Sequence, residues 1–444
     1  MTNLECSPSR IQIDFTDEAI TANAGTVFLS RMAEEFDLPW LLGDALQIKK
    51  RDRGASDAQM LLSLIYSLAQ GEGALKDVDR LKLDMARARL LGLERVPDSR
   101  RLGEFLSRFT EQNIVGFRGV ARQLCGFIIQ QVIEQEIEEK GFIPVFVDGS
   151  EIEVDGHYFE KTSVGYTGNV SYWLHSIFIG SLWVSQRLHP GNTDVVHGWQ
   201  KQLEQDVLPL LAGKKVRVYV RVDNAYYEGK FVEFCEDQGW EYSISVTNSL
   251  QKQPLLSQLN DGGDPGWTWI SEDQTEEACL LWHQPQGWRN GQAYVVIRTY
   301  WDGDQKLLTP RLSFILVSSP DVPLQELVHR HRAKQGQENA QKGPLIEMDL
   351  HHPPCSSYLA NQAFYTAGQI AQILLMSIKF ELLPETARHV GIRAIMRELI
   401  RVPGKLTWHA GAWTLKFVKS ALRLDWLIHA AERLEYLLPC ARAG

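Results

Sequence analysis

Two apolar runs, each closing on an aspartate, set the strongest limit on what this chain can fold into. FIPVFVDGSEIEVDG begins at Phe142 and VRVYVRVDNAYY at Val216; Asp148 and Asp223 close their apolar segments 75 positions apart. Short β-branched runs of this kind suit strands buried on both faces of a sheet. A carboxylate at the end of such a strand is costly unless something offsets its charge. Taken alone, Asp148 also suits a turn, because Asp-Gly is a strong hairpin signal. On that reading 142–156 is a strand, a turn and a half-exposed strand, with Glu151 and Glu153 on its solvent side. Asp223 alone suits a turn or a helix cap equally well. Two such acids in one sheet can instead converge on a hard divalent cation, which takes carboxylate oxygens.

The surrounding pattern supplies the sheet. Strand, hairpin (170–192), helix, strand (216–223), helix and strand (240–248) come in order, which predicts a mixed α/β sheet with helices on its faces. Residues 25–45 and 57–139 carry apolar positions at helical spacing, and VPDSRR offers a proline break with Asp98 and Ser99 able to cap the next helix. Residues 249–318 are rich in turn signals and short β-type runs, and read as a β-rich insertion rather than more core. After Pro323 the pattern is helical to the end. The chain therefore divides into a helical region (1–139), a first core part (140–248), an insertion (249–320), a second core part (321–380) and a helical end (381–444).

Composition excludes several classes. A net charge of −9 rules out a broadly basic nucleic-acid coat but permits a local basic groove. Six cysteines lie far apart with no Cys-x-x-Cys pair, which excludes the common zinc patterns and suits a reducing cytosol. No apolar run approaches the ~18 residues of a membrane span, and the first residues lack a signal-length apolar core. A cytoplasmic protein is expected. No phosphate-loop or Gly-x-Ser-x-Gly motif occurs. His351 and His352 are adjacent, a spacing that points their rings apart and reads as loop.

A third acid completes a set. In HRHRAKQGQENAQKG, residues His331, Lys334, Gln335, Glu338 and Lys342 fall on one helix face, so that Glu338 is flanked by cations a turn away on each side. A solvated, salt-bridged helix surface is the plainer reading of such a run. Against it stand the local excess of Arg330, Arg332, Lys334 and Lys342 in an acidic protein, and Gly336 in the middle.

Together Asp148, Asp223 and Glu338 resemble the acidic triad of cut-and-paste insertion-sequence transposases of the DDE type. VDGSEIEV resembles the family's first-aspartate segment, VRVDNAYYEGKFVEFCEDQGWEYSISV its second, and HRHRAKQGQENAQKGPLIEMDLHH with ANQAFYTAGQIAQILL its glutamate segment. The resemblance covers roughly 140–440. It implies an RNase H-like α/β core interrupted by a β-strand insertion, two Mg²⁺ or Mn²⁺ ions held by Asp148, Asp223 and Glu338, and cleavage and transfer of DNA strands at transposon ends. It further implies phosphate contacts from Arg330, His331, Arg332, Lys334 and Lys342, a homodimer on DNA, and end recognition by a helix of 1–139 in the major groove. One of Trp267, Trp269, Trp282, Trp288 and Trp301 would stack on a flipped base; packing within the insertion is the plainer reading of each. The chain departs from the family's Tyr-x2-Arg-x3-Glu-x6-Lys signature, placing His331, Lys334 and Leu345 at the tyrosine, arginine and final lysine positions. A nuclease on the same core, or a transposase-derived DNA-binding relic, are the competing expectations. The basic C-terminal positions, among them Arg388, Arg397 and Lys405, would touch DNA in trans.

Overall fold

A computed structural model describes residues 13–50, 53–156, 158–303, 305–333, 340 and 343–437. The first described strand, β1 (Ile20–Thr21), leads into seven helices: α1 (Thr26–Glu35), α2 (Leu38–Ala45), α3 (Asp57–Leu68), α4 (Val78–Leu83), α5 (Met85–Leu90), α6 (Ser99–Leu106) and α7 (Glu111–Lys140). Their starts obey local chemistry. Ser56 and Gln59 form a reciprocal capping box on α3, and Thr110 and Asn113 form another on α7. Asp98 caps α6 by accepting the Arg101 N–H at 2.9 Å, one of the two caps expected at that break. Gly141 ends α7 with a positive φ of 74°, the left-handed stop that glycine adopts without strain.

One sheet then organises the molecule. Its strands are β2 (Ile143–Glu153), β3 (Ser163–Val164), β4 (Val170–Ile179), β5 (Leu182–Pro190), β6 (Val218–Val222), β7 (Glu241–Val246), β8 (Thr268–Trp269), β9 (Glu276–His283), β10 (Gln292–Asp302) and β11 (Gln305–Val317). The order is β3-β4-β2-β6-β7-β11-β10-β9-β8, with β5 also paired to β4. β2, β4 and β5 form an antiparallel meander, whereas β2 with β6 and β6 with β7 are parallel. This is the mixed α/β sheet that the sequence pattern predicts. Crossings between the parallel strands are helical: α8 (Trp199–Gln202), a π-turn and α9 (Leu208–Leu211) precede β6, and α10 (Gly229–Gln238) precedes β7.

Three expectations change. The Asp-Gly turn does not form: β2 runs unbroken through Asp148 and Gly149, because β4 pairs with it from Val145 to Glu153. The 249–318 segment opens on a helix, α11 (Ser249–Asp261), and its strands are not a separate sheet, since β11 pairs with β7 and extends the core. The C-terminal region is not wholly helical: β12 (Gly404–His409) and β13 (Ala412–Phe417) form a hairpin that joins β1 in a small second sheet. Its two-residue turn is Ala410-Gly411, both at positive φ, the twist-matched geometry of tight hairpins.

α12 (Leu324–Arg332) comes after β11, and the long helix Tyr358–Glu381 comes later still. That helix is buried from Ala360 to Phe380 and lies against α7, α3 and β5, so it joins the helical region and the sheet in one apolar core. Among the described residues, no helix is long and apolar enough to cross a membrane.

Candidate active site

Register places the two aspartates. The parallel ladder pairs Val145 with Val220 and Phe146 with Arg221. Asp148 and Asp223 each lie two residues beyond the Phe146–Arg221 pair, so they share one level and one face of adjacent strands, just past the last parallel pair and about 4.8 Å apart. The opposite face of β6 is apolar: Val218, Val220 and Val222 are buried. Both aspartates are half-buried. Each is oriented by its own backbone: Asp148 Oδ1 accepts the Gly149 N–H at 2.8 Å, and Asp223 Oδ1 accepts the Ala225 N–H at 2.9 Å. Asp223 thereby caps the short turn 224–226, so the cap reading and the site reading are compatible.

Gly149 leaves room for an indole beside the first acid. A Cβ there would come within 2.1 Å of the Trp173 indole, which closes over the glycine from β4. Glu151 is not the solvent-facing acid expected: half-buried, it accepts from the Ser171 hydroxyl at 2.8 Å and from the Thr167 N–H at 3.2 Å, and holds the 163–171 turn. Glu153 is exposed and accepts from Asn169.

Behind the carboxylates runs a buried polar network that no sequence pattern announces. The Tyr226 hydroxyl and His175 Nε2 are 2.6 Å apart, and His175 Nδ1 lies 2.6 Å from Gln202 Oε1. Gln202 donates to Ser185, Ser185 donates to Asp206, and Asp206 also accepts from Arg187 and Arg122. Tyr226 and His175 are fully buried. Burial first, then the charges of Asp148 and Asp223, push the Tyr226 phenol well above its usual range, so it stays neutral. Burial lowers the His175 imidazole to about 4. The network ties the Asp223 turn to β4 and to the helix behind the sheet. Only its residue types are visible in the sequence, since its members are scattered over 122–226.

Glu338, Lys334 and Lys342 lie outside the described residues. The chain on either side of Glu338 is anchored near the aspartates. His331 is buried on β7, with Nδ1 2.8 Å from Ser243 Oγ and Nε2 3.0 Å from Ser245 Oγ. Ser243 pairs with Arg221, so both serines lie on the face that carries Asp223. On the far side, Ala340 and Phe146 line one cavity of about 430 Å³, and Phe146 is two residues before Asp148.

Three of the residues expected at phosphates have partners within the protein. His331 has both ring nitrogens engaged internally, and burial lowers its pKa to about 3. The Arg330 guanidinium pairs with Glu326 at 2.7 Å and Glu241 at 3.5 Å, over the Phe142 ring. Arg332 donates to Glu276 on β9 at 2.8 Å. All three fasten α12 to the sheet.

The tryptophans divide as well. Trp288 packs on Tyr227 at 5.0 Å and Arg298 stacks on Trp267 at 3.8 Å, whereas Trp269, Trp282 and Trp301 are exposed. His351 and His352 lie in a loop, with their rings 4.1 Å apart rather than diverging.

Neighbouring carboxylates repel unless a cation or proton intervenes. Asp148 and Asp223 supply hard oxygen donors side by side, the donor chemistry that Mg²⁺ and Mn²⁺ take. Two acids alone are fewer than a closed cage, and no cluster of three or more potential metal ligands occurs among the described residues.

Among solved structures, the chain is similar to piggyBac transposase in a synaptic complex with hairpin DNA, at 10% identity and a TM-score of 0.38, over 86% of this chain and 80% of that one. Comparison with curated proteins gives no match. A family model described as Transposase DDE domain group 1 matches residues 4–439, nearly the whole chain, and the protein belongs to that family of DDE transposases.

Proposed function

We propose that this transposase binds the inverted-repeat ends of its element, cuts DNA there and joins the freed 3′ ends to a target, using Asp148, Asp223 and Glu338 as one acidic centre. The observation that carries the reading is the shared level and face of Asp148 and Asp223 on the parallel pair β2 and β6. Support for Glu338 comes from the anchoring of α12 and Ala340 on that face.

The three carboxylates would hold two Mg²⁺ or Mn²⁺ ions. When bound, such ions supply Lewis-acid activation of the attacking and leaving oxygens in an in-line displacement at phosphorus. The chain's own part is positioning. Asp148 and Asp223 are held by the Gly149 and Ala225 amides, and the Tyr226–His175 pair fixes the second acid's turn from behind. Lys334 and Lys342, which flank Glu338 in sequence, would meet substrate phosphates without reading bases. The protein would work as a homodimer that brings two ends together, in the compartment that holds its DNA.

A strand-transfer assay tests this reading. Full-length protein is mixed with a labelled, uncut duplex in which an element end is joined to its flanking DNA, a supercoiled plasmid target and Mn²⁺. Joined product is expected. Cutting without joining would leave only a nuclease, and binding with neither would leave a DNA-binding relic; either result overturns the proposal.

A further inference from the structure

The helical region carries a basic groove that the acidic centre does not account for. A cavity of about 630 Å³ opens between the loop before α3, the end of α4 and helix α6. Its rim holds Lys49, Arg53, Lys82, Arg95, Arg101 and Arg108, and its floor is apolar, with Met60 and Phe105 buried. Glu104 is the acid among its described lining residues, and it pairs with Arg100 at 3.2 Å. A second cavity of about 530 Å³ shares Lys82 and Val96 with the first and adds Arg89. Arg89 in turn stacks on Trp413 of the β12–β13 hairpin at 4.2 Å.

The rim cations keep their charge facing solvent. Lys49 Nζ donates to the Arg53 and Ala55 carbonyls at 2.6 Å, and Arg95 donates to the Gly54 carbonyl at 3.3 Å. Carbonyl acceptors orient a cation without neutralising it. Arg101 has Asp98 at 3.5 Å, but its side chain is 74% exposed, and an exposed pair at that distance contributes little. Asp57 sits beside Lys49, yet one oxygen of its carboxylate accepts the Ile48 and Lys49 backbone N–H groups. A concentration of cations on a chain of net charge −9 creates a local positive field with a defined place. The planar guanidinium groups of Arg95, Arg101 and Arg108 match phosphate oxygens in pairs, and contacts of that kind position a duplex without carrying sequence information.

We infer that this groove seats the sugar-phosphate backbone of duplex DNA and holds it in register without reading its sequence. The inference rests on the proposed action on DNA, and differs from the expectation of a base-reading helix in the major groove. It assigns end discrimination to other surfaces of the chain.

The test uses the full chain with Arg95→Gln, Arg101→Gln and Arg108→Gln combined. All three side chains are exposed, so the fold is expected to persist, checked by an unchanged melting temperature. Fluorescence anisotropy tracks binding to an end-bearing duplex and to a scrambled duplex, without divalent metal, over a range of salt. The variant is expected to bind both duplexes roughly 10- to 100-fold more weakly at about 100 mM salt, with the slope of log K against log salt reduced by about 3, one for each lost phosphate contact. An unchanged affinity and slope in the triple variant would overturn the groove while leaving the DNA reading intact. A wild-type protein that binds neither duplex would overturn both. Loss confined to the end-bearing duplex, or binding to phosphatidylserine vesicles in place of DNA, would also overturn it.

Discussion

Trp173 packs directly on Gly149, the residue after the first carboxylate. Gly149→Ala would set a methyl group within 2.1 Å of the indole, so the tryptophan must move. A loss of about 1–3 kcal/mol in urea unfolding is expected, as for other overpacked sites, with part of it restored by Trp173→Leu. Asp223→Asn keeps the volume and removes the charge. Mn²⁺ should raise the melting temperature of wild type through linkage, and the variant should lose most of that rise. At this scale the sequence is legible where chemistry is local. An aspartate closing an apolar strand is a visible anomaly, and Asp148 and Asp223 stand out that way. Arg330, His331 and Arg332 do not show their roles so plainly. Helical spacing says which side chains align, but not that Ser243 and Ser245, more than eighty positions earlier, bury the histidine.

Elements are held by contacts that no short window contains. The Tyr226–His175–Gln202 chain binds a turn, a strand and a helix together behind the acids. Tyr226→Phe would leave a buried imidazole nitrogen without its partner, at about 1–2 kcal/mol. Cleavage rate or metal affinity should fall about 10- to 100-fold, as when groups behind metal ligands are removed, with DNA binding unchanged. A merely structural role would lower stability and leave the metal concentration for half-maximal cutting where it was. The β12–β13 hairpin is hard to see in the sequence because its turn, Ala410-Gly411, lacks the usual Asn-Gly or Asp-Gly signal, although Leu406 to Phe417 is rich in β-forming residues. Asp148-Gly149 is the opposite case: pairing along the whole of β4 overrides a good turn signal.

On the scale of the whole molecule, one sheet joins what the sequence divides. The break at 249 is real as a change of composition, yet β11 continues the core at β7, and α12 returns from that edge over the face that holds the aspartates. Burial also gives the fold an acid limit. His175 and His331 remain neutral when folded, with pKa values lowered to about 4 and about 3, while in the unfolded chain they take up protons near 6.5. The unfolded state therefore binds more protons below about pH 6.5, and stability falls as pH drops from there, by about 1.4 kcal/mol per pH unit for each histidine. His189 is lowered to about 4 by burial as well, so urea unfolding between pH 7 and 5 should show the slope of three histidines, and His331→Gln should remove about a third of it.

The central claim is that Asp148, Asp223 and Glu338 act as one centre, and a cleavage assay on the protein's own DNA ends tests it most directly. Wild type, Asp148→Asn, Asp223→Asn and Glu338→Gln would be compared with and without Mn²⁺. End-specific cutting by wild type only with metal, and a fall on the order of 10³-fold or more in each variant, is the expected result. Cutting that survives any one of the three substitutions at near wild-type rate would contradict the account.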